Sequence, residues 1–380
     1  IETTGDVLTG SVADAVTTYD TSGWDVALPF VFNFNSSDFT SIYVNSNGGA
    51  TFGLTSTSSS VISGTTAYSG AIGVMNRDLW GVFYTSGSTT IGSNVITNVA
   101  SFRGIEIGKV LRTGSGVPAS TTVTAFDQAA GTITMSNNST STTAAANIGW
   151  GTGKIITKID GTAPNRVFTI QWEGYNDYGT AGSGSNYLSF QLKLAETSNT
   201  VTIVYGDYAN ISTTSRTNQI GLRGATNTDF QNRTGAVGNP WSSTTVGATN
   251  AATVARDNVN FPAPGLTFSW SPPTCTAPGT LSASDITTTS AILNWTSTGA
   301  LFDIEWGPQS FTQGTGTIVT GVSAPYLLAG LNASTSYKYY VRTNCGAVDG
   351  VSNWAGPFSF VTLCTTLATF TENFDSYTLT

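Results

Sequence analysis

An all-β fold of tandem sandwich domains follows from three features of the sequence. Thr, Ser, Asn and Gly supply much of the chain, with 42 glycines among 380 residues, a composition suited to strands and tight turns. No segment carries the i, i+3, i+4 apolar spacing of an amphipathic helix. Several segments instead alternate apolar and polar residues with a period of two, as half-buried strands do.

The length predicts two or three domains. Charged residues make up only 9%, and 9 Trp, 14 Tyr and 19 Phe supply apolar surface for several cores, so a disordered chain is excluded. The net charge of −8 comes from 14 basic and 22 acidic residues. The nearest basic group, Arg103, Lys109 and Arg112, is too sparse to track a phosphate backbone, so no nucleic acid partner is expected. No apolar run reaches the length of a membrane-spanning helix. The sequence opens at Ile1 without the basic and apolar segments of a signal peptide, which predicts a processed chain or a piece of a longer one.

Residues 1–92 and 151–270 read as one discontinuous sandwich. Phe30, Phe32 and Phe34 share a face, and Asn47-Gly48 is a hairpin signal after the alternating 39–46 stretch. The Ser/Thr-rich 55–66 stretch reads as a loop. Residues 166–172 alternate cleanly, 187–194 and 201–205 form a hairpin, 219–223 is a short strand, and 265–270 closes the domain. Between the two halves, residues 93–150 lose nearly all aromatics and read as an inserted small β subdomain, with strands expected at 105–111, 121–126 and 131–135. Ser271-Pro272-Pro273 cannot sit in a central strand, so 271–274 is the linker.

Within 275–362, Leu293 and Trp295 share one parity, as do Phe302, Ile304 and Trp306, and Tyr337, Tyr339 and Val341, giving two sheets with inward faces. The 291–295 strand with its tryptophan, and the 331–341 stretch with its leucine and corner tyrosine, resemble a fibronectin type III domain. The resemblance implies an Ig-like sandwich used as a spacer or adhesive unit. No Arg-Gly-Asp tripeptide is present. It also places Cys275 and Cys345 at the same pole of the module and implies a disulfide between them. Cys364 stands where Cys275 stands, one module later, so its partner is expected downstream.

The region before this module resembles a sandwich of secreted Bacteroidetes-type proteins. The resemblance rests on Leu28-Pro29-Phe30, on Ser46-Asn47-Gly48 ending in Phe52-Gly53, on 220–224 with Asp229-Phe230, and on 264–268 before Trp270. The insertion is similar to a Gly/Thr-rich bacterial surface repeat through 114–118, 121–123 and 132–134, and 370–375 resembles the first strand of a jelly-roll module, so 363–380 is expected to open a further, truncated β module. The resemblance implies export by the type IX secretion system.

Candidate chemistry is scarce. The chain has no histidine, which removes Ser-His-Asp and Cys-His arrangements, His-containing zinc sites and His bases together. The best carboxylate pair is Glu173 and Asp177, expected in a polar loop after a strand ending at Trp172, where two solvated acids are the plainer reading. No Asp-x-Asp-x-Asp-Gly loop exists, so no cofactor is expected and a structural calcium ion has no assigned position. Asp160-Gly161 and Asp349-Gly350 read as turns. Trp241, Tyr175 and Tyr178 lie in polar, Gly-rich surroundings and are the candidate ligand-facing aromatics; the alternative is that they cap the core or pack at the domain junction. The expected function is a non-catalytic, secreted or cell-surface adhesin or structural component of a filament. Its expected partners are other surface proteins, glycans or further copies of itself. The alternative is the carbohydrate-binding or spacer region of a secreted hydrolase.

Overall fold

The computed structural model describes residues 5–14, 19–35, 37–179, 186–209, 214–272, 275–346 and 350–365. Apart from one 3-10 turn, Trp241–Ser243, the named elements are strands. The chain divides into two compact units, Ile1–Pro272 and Pro273–Thr380. The 370–375 stretch lies outside the described residues, as do Asp349 and the Pro273-Thr274 part of the linker.

Two antiparallel sheets build the sandwich of the first unit. One runs Asp6–Val7, Lys154–Asp160, Val167–Asp177, Tyr187–Ala195, Val201–Ala209 and Thr267–Trp270, with Leu79–Trp80 paired to the end of Val167–Asp177. The other runs Thr245–Val246, Phe230–Thr234, Arg216–Arg223, Gly70–Asn76, Gly49–Phe52, Ser37–Asn45 and Gly23–Phe34, with Val254–Arg256 added beside Arg216–Arg223. The alternation read from the sequence positions the core: Phe30, Phe32 and Phe34 are buried, while Val31 between them is 54% exposed. Residues of both sheets join one apolar cluster, including Phe52, Ile72, Ile170, Trp172, Phe190 and Ile203. Trp172 stacks on Phe190 at 5.3 Å and donates its Nε1–H to the Asn45 carbonyl at 2.7 Å. Tyr205 donates its hydroxyl to the Val74 carbonyl at 2.8 Å. Each bond crosses from one sheet to the other and satisfies a polar tip inside the core.

The inserted region leaves the sandwich earlier than residue 93. Val82–Thr89 already pairs with Thr143–Gly151, and Val82 lies opposite Gly151, so the excursion begins and ends at adjacent residues. Beyond this two-stranded stalk, Val95–Ile96, Thr132–Met135 and Val123–Asp127 form a three-stranded sheet. The strand expected at 105–111 is absent. The chain there turns repeatedly through Gly104 and Gly108, both at positive φ, and only Val110 and Leu111 make isolated bridges. A separate apolar cluster forms around Ile96, Ile133, Ile148 and Trp150, and it includes Tyr187 from the sandwich.

The second unit is a sandwich of three strands (Gly279–Ser284, Ser290–Thr296, Tyr326–Ala329) and four strands (Thr317–Val322, Phe302–Pro308, Ser336–Thr343, Ala355–Val361). Leu293, Trp295, Phe302, Ile304, Tyr337, Tyr339 and Val341 are all buried in one cluster. The Tyr337 hydroxyl accepts the Asn332 backbone N–H at 3.0 Å, stapling the corner that precedes its strand. Tyr339 directs its hydroxyl to the Ser282 and Asn294 carbonyls, both at 2.9 Å, tying one sheet to the other.

Candidate functional site

The carboxylate pair does not lie in a loop. The strand that reaches Trp172 continues to Asp177 through an irregularity between Trp172 and Tyr175. Gly174 makes this continuation possible: it sits at φ +71°, and a Cβ there would come within 2.5 Å of the Thr152 carbonyl oxygen. Glu173 faces Lys154 on the next strand, 3.0 Å from its ammonium, and accepts a hydrogen bond from Gln171 at 2.9 Å. Asp177 is fully buried. It is ion-paired to Arg256, also fully buried, and to Arg77 at 2.8 Å, and it accepts from the Asn186 amide. Arg256 donates to Tyr208 at 3.0 Å and to Asn218 at 3.3 Å. The two solvated acids of the sequence reading are thus corrected to a strand-to-strand ion pair and a buried ionic centre, because the strand runs five residues further than its apolar alternation shows.

Electrostatics explain how three charges share this interior. Burial acts against the Arg256 charge, but Asp177 and the Tyr208 oxygen outweigh it and hold the guanidinium above its ordinary pKa. Arg77 goes the other way. Burial lowers it first, Asp177 opposes that, and the positive charges of Arg256 and Arg216 lower it further. Arg216 stands directly opposite Arg256 in the ladder, so like charges are neighbours there.

Beside Arg77 the surface opens into a shallow depression of about 250 Å³. Part of its wall is Ser59 and Ser60 of the Ser/Thr-rich 55–66 segment, which is a loop but is held by side chains. Asn45 donates to the Ser56 and Ser58 carbonyls, Asn47 to Thr57, and Asn76 to Ser58. The Val61 N–H is accepted by Asn76 and the Ile62 N–H by Gln219, while Arg223 caps the Val61, Gly64 and Thr66 carbonyls. Buried amides and one buried guanidinium replace the ladder bonds that a strand would have made. At the rim, burial and the neighbouring Asp78 carboxylate raise the Asp20 carboxyl above the usual carboxylate range.

Two of the three candidate aromatics are interior. Trp241 is 2% exposed, donates its Nε1–H to the Ala255 carbonyl at 2.9 Å and meets the Tyr205 ring edge-on at 5.1 Å. Tyr175 is fully buried in the main cluster, and burial pushes its hydroxyl far above the ordinary tyrosine range. Tyr178 is 47% exposed and leans edge-on against Trp80 at 5.3 Å. The polar, Gly-rich flanks belong to a 3-10 turn at Trp241 and to an irregular strand at Tyr175, both of which aim the ring inward, and the ligand-facing reading is corrected for Trp241 and Tyr175. The sequence reading missed the buried arginines. Their signal was an arginine inside a strand pattern of a chain with 9% charge, at Arg223 and Arg256.

Cys275 and Cys345 are joined by a disulfide, with their Cα atoms 5.7 Å apart, and Cys364 is an exposed free thiol. Among the described residues, no three His, Cys, Asp or Glu side chains form a group that could hold a metal ion. Among the described residues no helix is long and apolar enough to cross a membrane.

The family described as NIDO related matches residues 119–272, less than half of the chain, from within the insertion to the end of the first unit. No curated protein matches. Among solved structures, one described as "Myokine structure" is 18% identical, with a TM-score of 0.21, over 24% of this chain and 99% of its own. A computer-based redesign of a β-sandwich protein is 18% identical, with a TM-score of 0.20, over 25% of this chain and 98% of its own. The FN1–FN3 domains of chicken CNTN1 are 7% identical, with a TM-score of 0.21, over 55% of this chain and 97% of theirs.

Proposed function

We propose that the chain is a non-catalytic extracellular component, an adhesin or structural element that displays β modules at a cell surface. The observation that carries the reading is the Cys275–Cys345 disulfide, which closes 70 residues of the second unit and is a kind of bond that oxidising compartments favour. The engagement of the best carboxylates in the fold, Glu173 with Lys154 and Asp177 with two arginines, supports a role without bond-making chemistry. The match to the NIDO-related family supports an extracellular setting. Export as a type IX secretion cargo is the finer form of the proposal and rests on the residue-level resemblance of the first unit to Bacteroidetes-type surface proteins.

Antibody labelling of intact producing cells, with and without mild external protease, tests the reading. Surface signal that protease removes, together with weaker attachment or altered surface structures in a deletion strain, is the expected result. Signal only after cell lysis would overturn it.

A further inference from the structure

The depression beside Arg77 has two kinds of polar group. Its amides, Asn76 and Gln219, are engaged in holding the 55–66 segment, so the wall is fixed before anything binds. The outward groups are different. The hydroxyls of Ser59, Thr217 and Thr253 make no hydrogen bond among the described residues, and Asp78 is exposed, with one side-chain hydrogen bond shared with the Asp20 carboxyl. Arg77 is ion-paired to Asp177 through Nε and donates to the Thr217 carbonyl through Nη1, and neither contact uses Nη2.

The chemistry of this set narrows the ligand. Arg77 is already ion-paired to Asp177 and a second carboxyl, Asp20, lies beside Asp78, so the depression offers no net positive charge to an acidic sugar. It combines an acceptor-only carboxylate, a donor-only guanidinium and hydroxyls that do both, the complement of neighbouring hydroxyl groups on a ring. No aromatic residue lines it, so a sugar would be read by its hydroxyl-bearing edge, without stacking on its apolar face. Its volume of about 250 Å³ is below the roughly 300–1,000 Å³ of sites for drug-sized ligands, which leaves room for a single ring. Because the wall is held by buried amides, binding need not order it, and that lowers the cost of association.

We propose that this depression binds the terminal residue of a neutral glycan, with Asp78 accepting from and Arg77 donating to adjacent sugar hydroxyls. The proposal gives a ligand class to the display reading and rests on it only for exposure of the first unit.

The test is saturation-transfer NMR and calorimetry on the full chain with neutral hexoses, N-acetylhexosamines, deoxyhexoses and uronic acids, each free and as the end of an oligosaccharide. Weak binding of at least one neutral sugar is expected, undiminished by a chelator. Asp78→Asn and Thr217→Val should each weaken it by about tenfold or more without lowering the melting temperature. The proposal is overturned by a folded chain that binds no sugar, by binding equal in both variants, by preference for uronic acids, or by loss of binding with chelator. Cell attachment that survives Asp78→Asn while sugar binding is lost would also overturn the glycan as the adhesive ligand, and would leave the display reading standing.

Discussion

At the scale of single residues, Asp177 decides most. It is a fully buried carboxylate between Arg77 and Arg256, and removing one member leaves an uncompensated charge in the interior. Asp177→Asn or Arg256→Met should each destabilise the first unit by about 3–5 kcal/mol. Calorimetry should show that loss in the first unit's transition alone; a loss below about 1 kcal/mol would mean that water reaches the cluster. Asp78 makes the opposite prediction. Its charge helps raise the Asp20 carboxyl, and a carboxyl raised on folding costs stability as pH climbs from the unfolded value through the folded one. Asp78→Asn should therefore raise the melting temperature at pH 7 and leave it unchanged below the ordinary carboxylate range, where the Asp20 carboxyl is protonated in either state. A fall at pH 7 would contradict the repulsion.

At the scale of elements, the 55–66 loop is ordered by side chains of the surrounding strands. Asn76→Ala removes the acceptor of the Val61 N–H and a donor to the Ser58 carbonyl. Hydrogen exchange at Val61 and its neighbours should then speed up by about tenfold or more, as expected for roughly 1.5 kcal/mol of lost local protection, while the Val167–Asp177 strand is unaffected. Replacing residues 83–150 with a short Gly/Ser linker should leave the flanking sandwich folded, because Val82 and Gly151 are ladder neighbours. It should be less stable, since Tyr187 loses its cluster. Collapse of the sandwich would show that the insertion supplies its core. Strands that bury one face were legible in the sequence: the parity of Phe30, Phe32 and Phe34 is the parity of the structure. Elements held by polar side chains were not. Residues 105–111 look β-branched yet follow their glycines into turns, and the strand from Trp172 to Asp177 hides behind Gly174, an acid and an amide. Periodicity reports burial of apolar groups and is silent where an ion pair or an amide does the holding.

At the scale of the whole molecule, two sandwich units follow one another, and in the second the inward parities of Leu293, Phe302 and Tyr339 were readable because an Ig-like core is almost wholly apolar. The candidate site was far less legible. The Ser/Thr stretch that walls the depression carries no periodicity, and Arg77 joins it only through tertiary contacts with Asp177 and Thr217. Expressed alone, residues 273–365 should give a cooperative β fold, and reducing its disulfide should cost about 2–4 kcal/mol through the entropy returned to the unfolded chain. Whether this protein works outside the cell is read from non-reducing peptide mapping of material from its native source. A Cys275–Cys345 link with Cys364 outside it is the expected result. Three free thiols, or a Cys345–Cys364 link, would contradict it.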